Sequence, residues 1–345
     1  VVGRLLFLLI ILLAAGLPEL TAQPADSIAN KNIKRYPDHF FIWPLIKQRS
    51  LSFDVGKRNV RDDLLSFKPN NTVSMGLGLY VFEVGVEFAL AVPLNEKSRS
   101  RFGASDVRDL QGHLLGRSWS LDVFTQRYSS FYLANPVRVI KANEAFPVRP
   151  DVELRNTGVN GIYAFNKSKF SLRSAYNFAE RQLHSAGSPV LAGTFNSVRL
   201  QSDSALLSNS LQSRLGVDDT FARLRYATIS LAPGYSYSLI YRHLFMNVTL
   251  SVGPAHHWIY FVDKNGRANY DIAINTFADS RLAIGYNSDH WFGGVSFINQ
   301  SRRVRFDDFE FTTNTSSFKL LVGYRILEKG ILRKRAWDFL PKLTR

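Results

Sequence analysis

Cysteine is absent from all 345 residues. The chain therefore forms no disulfide and offers no lipid-modified N-terminal cysteine, which suits an exported barrel. Long apolar runs are missing as well. Hydrophobic residues make up 46% of the chain, yet no internal stretch approaches the roughly 20 apolar residues that a spanning helix needs. If this chain crosses a membrane, it does so with strands. Acidic residues are in deficit, 28 against 43 Lys and Arg, for a net charge of +15. A basic surface expects anionic neighbours. In an exported protein these are outer-membrane lipid and lipopolysaccharide phosphates, and export argues against nucleic acid.

Signatures of catalysis are also lacking. A nucleophilic serine needs a histidine within reach and an acid to orient it, and no recognisable lipase arrangement occurs around His184-Ser185 or elsewhere. His256-His257 has no acidic or thiolate neighbours to complete a metal site. The glycines at 76 and 78 lack the spacing of a phosphate loop. No catalytic residue, metal or cofactor is expected.

What the sequence does contain is an alternation, clearest in residues 72–92, TVSMGLGLYVFEVGVEFALAV. Val73, Met75, Leu77 and Leu79, then Phe82, Val84, Val86, Phe88, Leu90 and Val92, fall on one parity. Thr72, Ser74, Gly76 and Gly78, then Glu83, Gly85, Glu87, Ala89 and Ala91, fall on the other. Side chains alternate across a strand, so this is a hairpin with one apolar face and one small or charged face. An apolar face meeting lipid and a polar face lining a lumen make an antiparallel transmembrane β-barrel. A soluble sandwich or lipocalin-like barrel also alternates, but its apolar face would need a partner sheet.

The rest of the chain is organised around that hairpin. Arg4, the apolar run 5–13 and small residues up to Ala22 make residues 1–22 a secretory signal peptide. Residues 23–48 read as a periplasmic lead, 49–327 as the barrel, and 328–345 as a basic periplasmic tail. Further hairpins are expected over 107–128, 156–178, 223–253 and 270–300, with a last strand near 318–326. Loops alternate long and short if 179–221 is one long extracellular or plug-like excursion. That gives an all-β, up-and-down transmembrane barrel of about 12 strands, with long extracellular loops and short periplasmic turns. Trp119, Phe165, Tyr286, Trp291 and Tyr324 lie on the apolar parity near strand ends, as interfacial rings do.

Three motifs, SFKPNNTVSMGLGL, FTQRYSSFYL and ERQLHSAGSP, resemble a family of Bacteroidetes outer-membrane proteins described only as domain of unknown function 4421. The resemblance extends from about Asp54 to Ile326. It departs at Ser129-Ser130, where the family has Lys-Gly. It implies a barrel and an envelope location, and brings no activity with it.

Two residue sets follow. Gln126 and Tyr128, with Arg181, Gln182, Ser185 and Ser188 of the excursion, are expected to meet at the extracellular mouth of the lumen. The plainer alternative is that they pin a loop to the wall. Glu83, Glu87, Asp122, Arg173, Arg281, Lys319 and Arg325 are expected to face the lumen, as an ion-pair network or as a selectivity ring. The resulting expectation is a porin-like channel, transporter or envelope-assembly component of the bacterial outer membrane for a polar or anionic solute. The alternatives are an enzyme modifying lipid or lipopolysaccharide, or a structural or adhesive barrel. The barrel assembly machinery is the expected partner during biogenesis, and no obligate protein partner is inferred.

Overall fold

The computed structural model describes residues 31–58, 60, 64–81, 84–116, 118–136, 140–141, 144–217, 220–263 and 265–328. The expected leader, most of the basic tail and Glu83 lie outside these residues.

The strands in chain order are β1 (Ile33–Arg35), β2 (His39–Lys57), β3 (Leu64–Lys68), β4 (Ser74–Val81), β5 (Val84–Ala91), β6 (Asp106–Leu115), β7 (Trp119–Leu133), β8 (Val148–Ala164), β9 (Glu180–Gln182), β10 (Ala186–Gln201), β11 (Phe221–Tyr241), β12 (Leu244–Asp263), β13 (Ala268–Asn287), β14 (Trp291–Phe306) and β15 (Phe309–Leu327). Among the described residues three short helices, α1 (Glu96–Phe102), α2 (Leu172–Tyr176) and α3 (Asn209–Leu215), lie in connections. No helix among the described residues is long and apolar enough to cross a membrane.

Strands β2, β3, β7, β8 and β10 to β15 close an antiparallel ring of ten, completed where Leu327 of β15 pairs with His39 of β2. We call that the terminal end and its opposite the far end. The other three strands of the sheet hang on the ring: β4 and β5 flank β2, and β6 flanks β7. The ring therefore holds ten strands where the spacing had suggested about twelve. The expected hairpin at 72–92 is present as β4–β5, with Met75, Leu77, Phe88 and Leu90 exposed on one face.

Toward the terminal end the strands are apolar outside and polar inside. On β12, Met246, Val248, Leu250 and Val252 are exposed while Asn247, Thr249 and Ser251 are buried. Farther along the same strands the pattern inverts. On β11 the outward Ile229 and Leu231 give way to Arg223 and Arg225, and the inward Thr228 and Ser230 to Leu224 and Tyr226. Strands β8, β10 and β14 invert likewise. Polar-out and apolar-in is the pattern of a sheet facing water, so each strand carries two environments in succession.

The interior is filled in three layers. At the far end Phe53 stacks on Phe67 (centroids 4.8 Å) and packs against Phe131 and Phe311, with Leu206, Leu207 and Leu215 folded over them from the β10–β11 connection. The middle layer is polar. At the terminal end Phe41, Trp43, Phe178 and Phe292 pack together with α2.

Several sequence expectations fail here. Residues 169–178 do not form a strand. They hold α2, N-capped by Ser171, whose Oγ accepts from Ser174 N at 3.2 Å. Leu172 and Tyr176 lie one helical turn apart, so their spacing satisfies a helix as well as an alternating strand. Residues 179–221 are not one excursion, because β10 pairs along its length with β8 and β11. The long link at this level is 165–185, on the terminal side. The lead at 23–48 already contains most of the first half of β2. Residues 254–263 belong to β12, and Pro254 is tolerated where the register with β11 lapses.

Candidate functional site: a cleft between two strand edges

The β2 strand changes partner along its length. Its first half pairs with β4 (Phe41 to Lys47) and its second half with β3 (Phe53 to Gly56). The intervening residues 69–73 bulge away, held by Asn70, whose Nδ2 donates to Ser98 O at 3.1 Å. Strand β5 therefore ends the sheet on one side and β6 on the other, and no register among the described residues joins them. Helix α1 bridges the gap at the far end. The apolar residues beside the gap are strongly exposed, Phe88 at 79%, Leu90 at 81% and Leu110 at 73%, the upper end of a belt that on the unbroken wall runs from 37% at Phe318 to 71% at Ile274.

Behind this cleft lies an ionic cluster. Glu87 of β5 accepts from Lys319 Nζ at 3.1 Å and faces Lys47 Nζ at 3.8 Å. Asp109 of β6 faces Arg49 Nη1 at 3.3 Å and accepts from Gln126 Nε2 at 2.9 Å and the Tyr128 hydroxyl at 3.0 Å. His113 of β6 meets Asp122 of β7 through Nδ1. Arg173 of α2 closes the cluster from below, donating Nε to Leu115 O at 2.9 Å. Three carboxylates, Glu87, Asp109 and Asp122, thus stand among four cations, Lys47, Arg49, Arg173 and Lys319. No hydroxyl among the described residues hydrogen-bonds His113.

Deeper in, the middle layer crosses the barrel from wall to wall. Asn160 Nδ2 of β8 donates to Gln300 Oε1 of β14 at 2.7 Å, and Gln300 Nε2 donates to Asp279 at 2.7 Å. Asp279 is bidentate with Arg281, at 2.8 and 3.0 Å. Arg302, fully buried, donates to Asn160 Oδ1 at 2.8 Å and Thr194 Oγ1 at 3.1 Å. Side chains from opposite walls that hydrogen-bond directly leave no aqueous channel between them at this level.

The two expected residue sets are only partly assembled. Glu87 and Lys319 come together as lumen charges, and Asp122 and Arg173 border the same cluster. Arg281 is in the middle layer. Arg325 is at the terminal end, where its guanidinium donates to Phe178 O at 2.6 Å and Asn287 Oδ1 at 2.8 Å inside an aromatic cage of Tyr36, Phe41 and Phe292. The proposed mouth does not form. Gln126 and Tyr128 are beside the cleft, whereas Arg181, Gln182 and Ser185 belong to the link 165–185 that plugs the terminal end, and Ser188 to the wall strand β10. Gln182 and Arg181 pair in β9 with Ile33 and Lys34 of β1. Arg181 also bonds Asp289 at 2.9 Å and His243 at 2.7 Å. Ser185 bonds Ile240, and Ser188 accepts from Asn166 N. Arg181, Ser185 and Ser188 thus join the plug to the wall and its turns, while Gln182 bonds within the plug, to Ser171, Ser174 and His184.

Sequence reasoning missed Asp109, His113, Asp279 and Arg302. An opposite-charge pair two residues apart on one parity, as in Asp279-Ser280-Arg281, was the available signal.

Asp289, in the turn between β13 and β14, ties plug to turn. The hydrogen bond from Lys34 leads in holding its carboxyl down at about 2, with Tyr36 and Arg181 assisting. Burial pushes the Tyr36 hydroxyl up to about 12.

A family model described as Domain of unknown function (DUF4421) matches residues 26–326. No curated protein matches the chain. Among solved structures it is similar to the outer membrane protease OmpT of Escherichia coli, with a TM-score of 0.40 at 8% identity, covering 86% of this chain and 100% of that one. It is also similar to Ail of Yersinia pestis (TM-score 0.23, 9% identity, 84% and 99% covered) and to the toluene transporter TodX of P. putida (TM-score 0.19, 8% identity, 86% and 91% covered). At these scores the likeness carries no functional inference.

Proposed function

The chain belongs to the DUF4421 family, and we propose that it is an outer-membrane barrel that binds an amphiphilic envelope lipid sideways, through the cleft between β5 and β6. The terminal end, with the short β11–β12 and β13–β14 turns, faces the periplasm, and the far end faces outward. The exposed apolar belt is the lipid-facing surface.

One observation carries this reading: two strand edges without a partner among the described residues open at the level of the apolar belt, directly in front of an ionic cluster. Unpaired backbone N–H and C=O groups cost several kcal/mol each in hydrocarbon, so the edges need polar groups beside them. A lipid headgroup entering the cleft supplies these and meets Lys47, Arg49, Glu87 and Asp109, while its chains lie along Phe88, Leu90 and Leu110. The filled interior speaks against a diffusive pore, and so against the porin-like channel expected from the sequence.

The natural lack of cysteine makes the test direct. Asp109→Cys and His113→Cys are expected to react with a membrane-partitioning maleimide in reconstituted vesicles. Thr249→Cys, equally inward but behind unbroken wall, is expected to stay unreacted. Position 109 as refractory as 249 overturns lateral access. Planar-bilayer recordings of the wild type are expected to show no conductance steps, and a steady open pore would restore the channel reading.

A further inference from the structure

Five arginines stand in one register on the outer surface. Arg108 of β6 is opposite Arg127 of β7, which is opposite Arg155 of β8. Arg155 is opposite Arg199 of β10, and Arg199 opposite Arg225 of β11. With neighbouring strands about 4.8 Å apart, the row runs for about 19 Å. One carboxylate serves it: Glu153 accepts Arg127 Nε at 2.6 Å and is shared with Arg155. Arg108, Arg199 and Arg225 are exposed and meet no carboxylate among the described residues.

Like charges directly opposite one another destabilise a sheet, and these side chains support no core in return. Their position gives the reason. They stand just past the apolar belt, with one outward row of Thr125, Thr157, Ser197 and Ala227 between them and Val123, Val159, Phe195 and Ile229, at the level where the strands invert. The row continues into Tyr260, whose ring centre is 5.9 Å from the Arg225 guanidinium, and then Tyr270, 5.2 Å from Tyr260. Tyrosines occupy the lipid–water boundary because one end is apolar and the other wet.

We propose that this row binds the phosphorylated headgroup of a glycolipid in the surrounding leaflet. Guanidinium groups match phosphate oxygens in paired hydrogen bonds, and bound phosphates cancel the repulsion within the row. Strands in such barrels tilt by about 35–45°, so a row perpendicular to them climbs obliquely and sets its cations at several depths. A headgroup with phosphates at different heights engages the row along its length, and a single-phosphate lipid does not.

The test is native mass spectrometry of the barrel in neutral detergent, titrated with bisphosphorylated lipid A and, separately, with inositol hexakisphosphate. The variant R155Q/R199Q/R225Q is expected to bind lipid A roughly 100-fold more weakly, at about fivefold for each interfacial cation removed. Without any phosphate compound the same variant is expected to melt higher than wild type, because the repulsion is gone. Should it melt lower instead, the single variant R199Q carries the measurement, with about a fivefold loss expected. Unchanged lipid A affinity overturns the proposal. So does lipid A binding no tighter than the hexakisphosphate, which would make the row a site for a soluble polyanion.

Discussion

Asp279→Ala measures how dry the interior is. The Asp279 and Arg281 side chains are 1% and 4% exposed, joined by two hydrogen bonds, with Gln300 holding the second carboxylate oxygen. Removing the aspartate takes away the carboxylate that the buried guanidinium hydrogen-bonds and leaves it the more distant charge of Asp122. Breaking one partner of such a buried pair costs about 3–5 kcal/mol, whereas replacing both with apolar residues of similar volume is often neutral or better. The expected outcome is thus a large loss for D279A and a near-recovery for D279L/R281M. Urea unfolding in phosphatidylcholine vesicles, followed by the fluorescence of the five tryptophans, reads both. A cost for D279A below about 1 kcal/mol, the value of a solvated surface pair, would mean that water reaches the middle layer. The interior would then be an aqueous lumen, and the case against a pore would fall with it.

A β-carbon at Gly78 would overlap the Trp43 indole, whereas one at Gly112 meets nothing within 4 Å. Gly78→Ala is expected to lower the folded, heat-modifiable fraction on gels, and Gly112→Ala to leave it unchanged. Asp289 has its carboxyl lowered from 3.8 to about 2 in the folded protein, so its contribution is complete above pH ~4 and lost as pH falls from ~4 toward ~2. Hydrogen exchange of the β1 amides should accelerate across that window, and Asp289→Asn should abolish the dependence. Tyr36 has the opposite sign. Its raised value stabilises below pH ~10, and that contribution is lost as pH rises from ~10 to ~12.

The strands that are apolar on the outer face and polar on the inner one were legible in the sequence. The hairpin at 72–92 and the alternation at 246–252 needed only a two-residue rhythm, because an apolar outer face and a polar interior impose it. The plug was not legible. Leu172 and Tyr176 suit both periods, and a long connection folded inside looks like an external loop when only lengths are counted. The inversion was also missed, since Leu224 and Tyr226 keep the strand period while exchanging the meaning of its two faces. The arginine row and the Asn160–Gln300 bond depend on register and on closure between distant strands. Neither is written in any local window. The same holds for the cleft, where β5 and β6 are close in sequence and unpaired in space.

The inversion along β11 bears on how the chain finds its alignment. Sliding that strand by one residue would turn Arg225 toward the aromatic far-end interior and Tyr226 toward water. In the same movement Thr228 would face hydrocarbon and Ile229 the hydrogen-bonded centre. A misalignment is penalised on both sides of the boundary at once, so the protein carries two independent checks on one register.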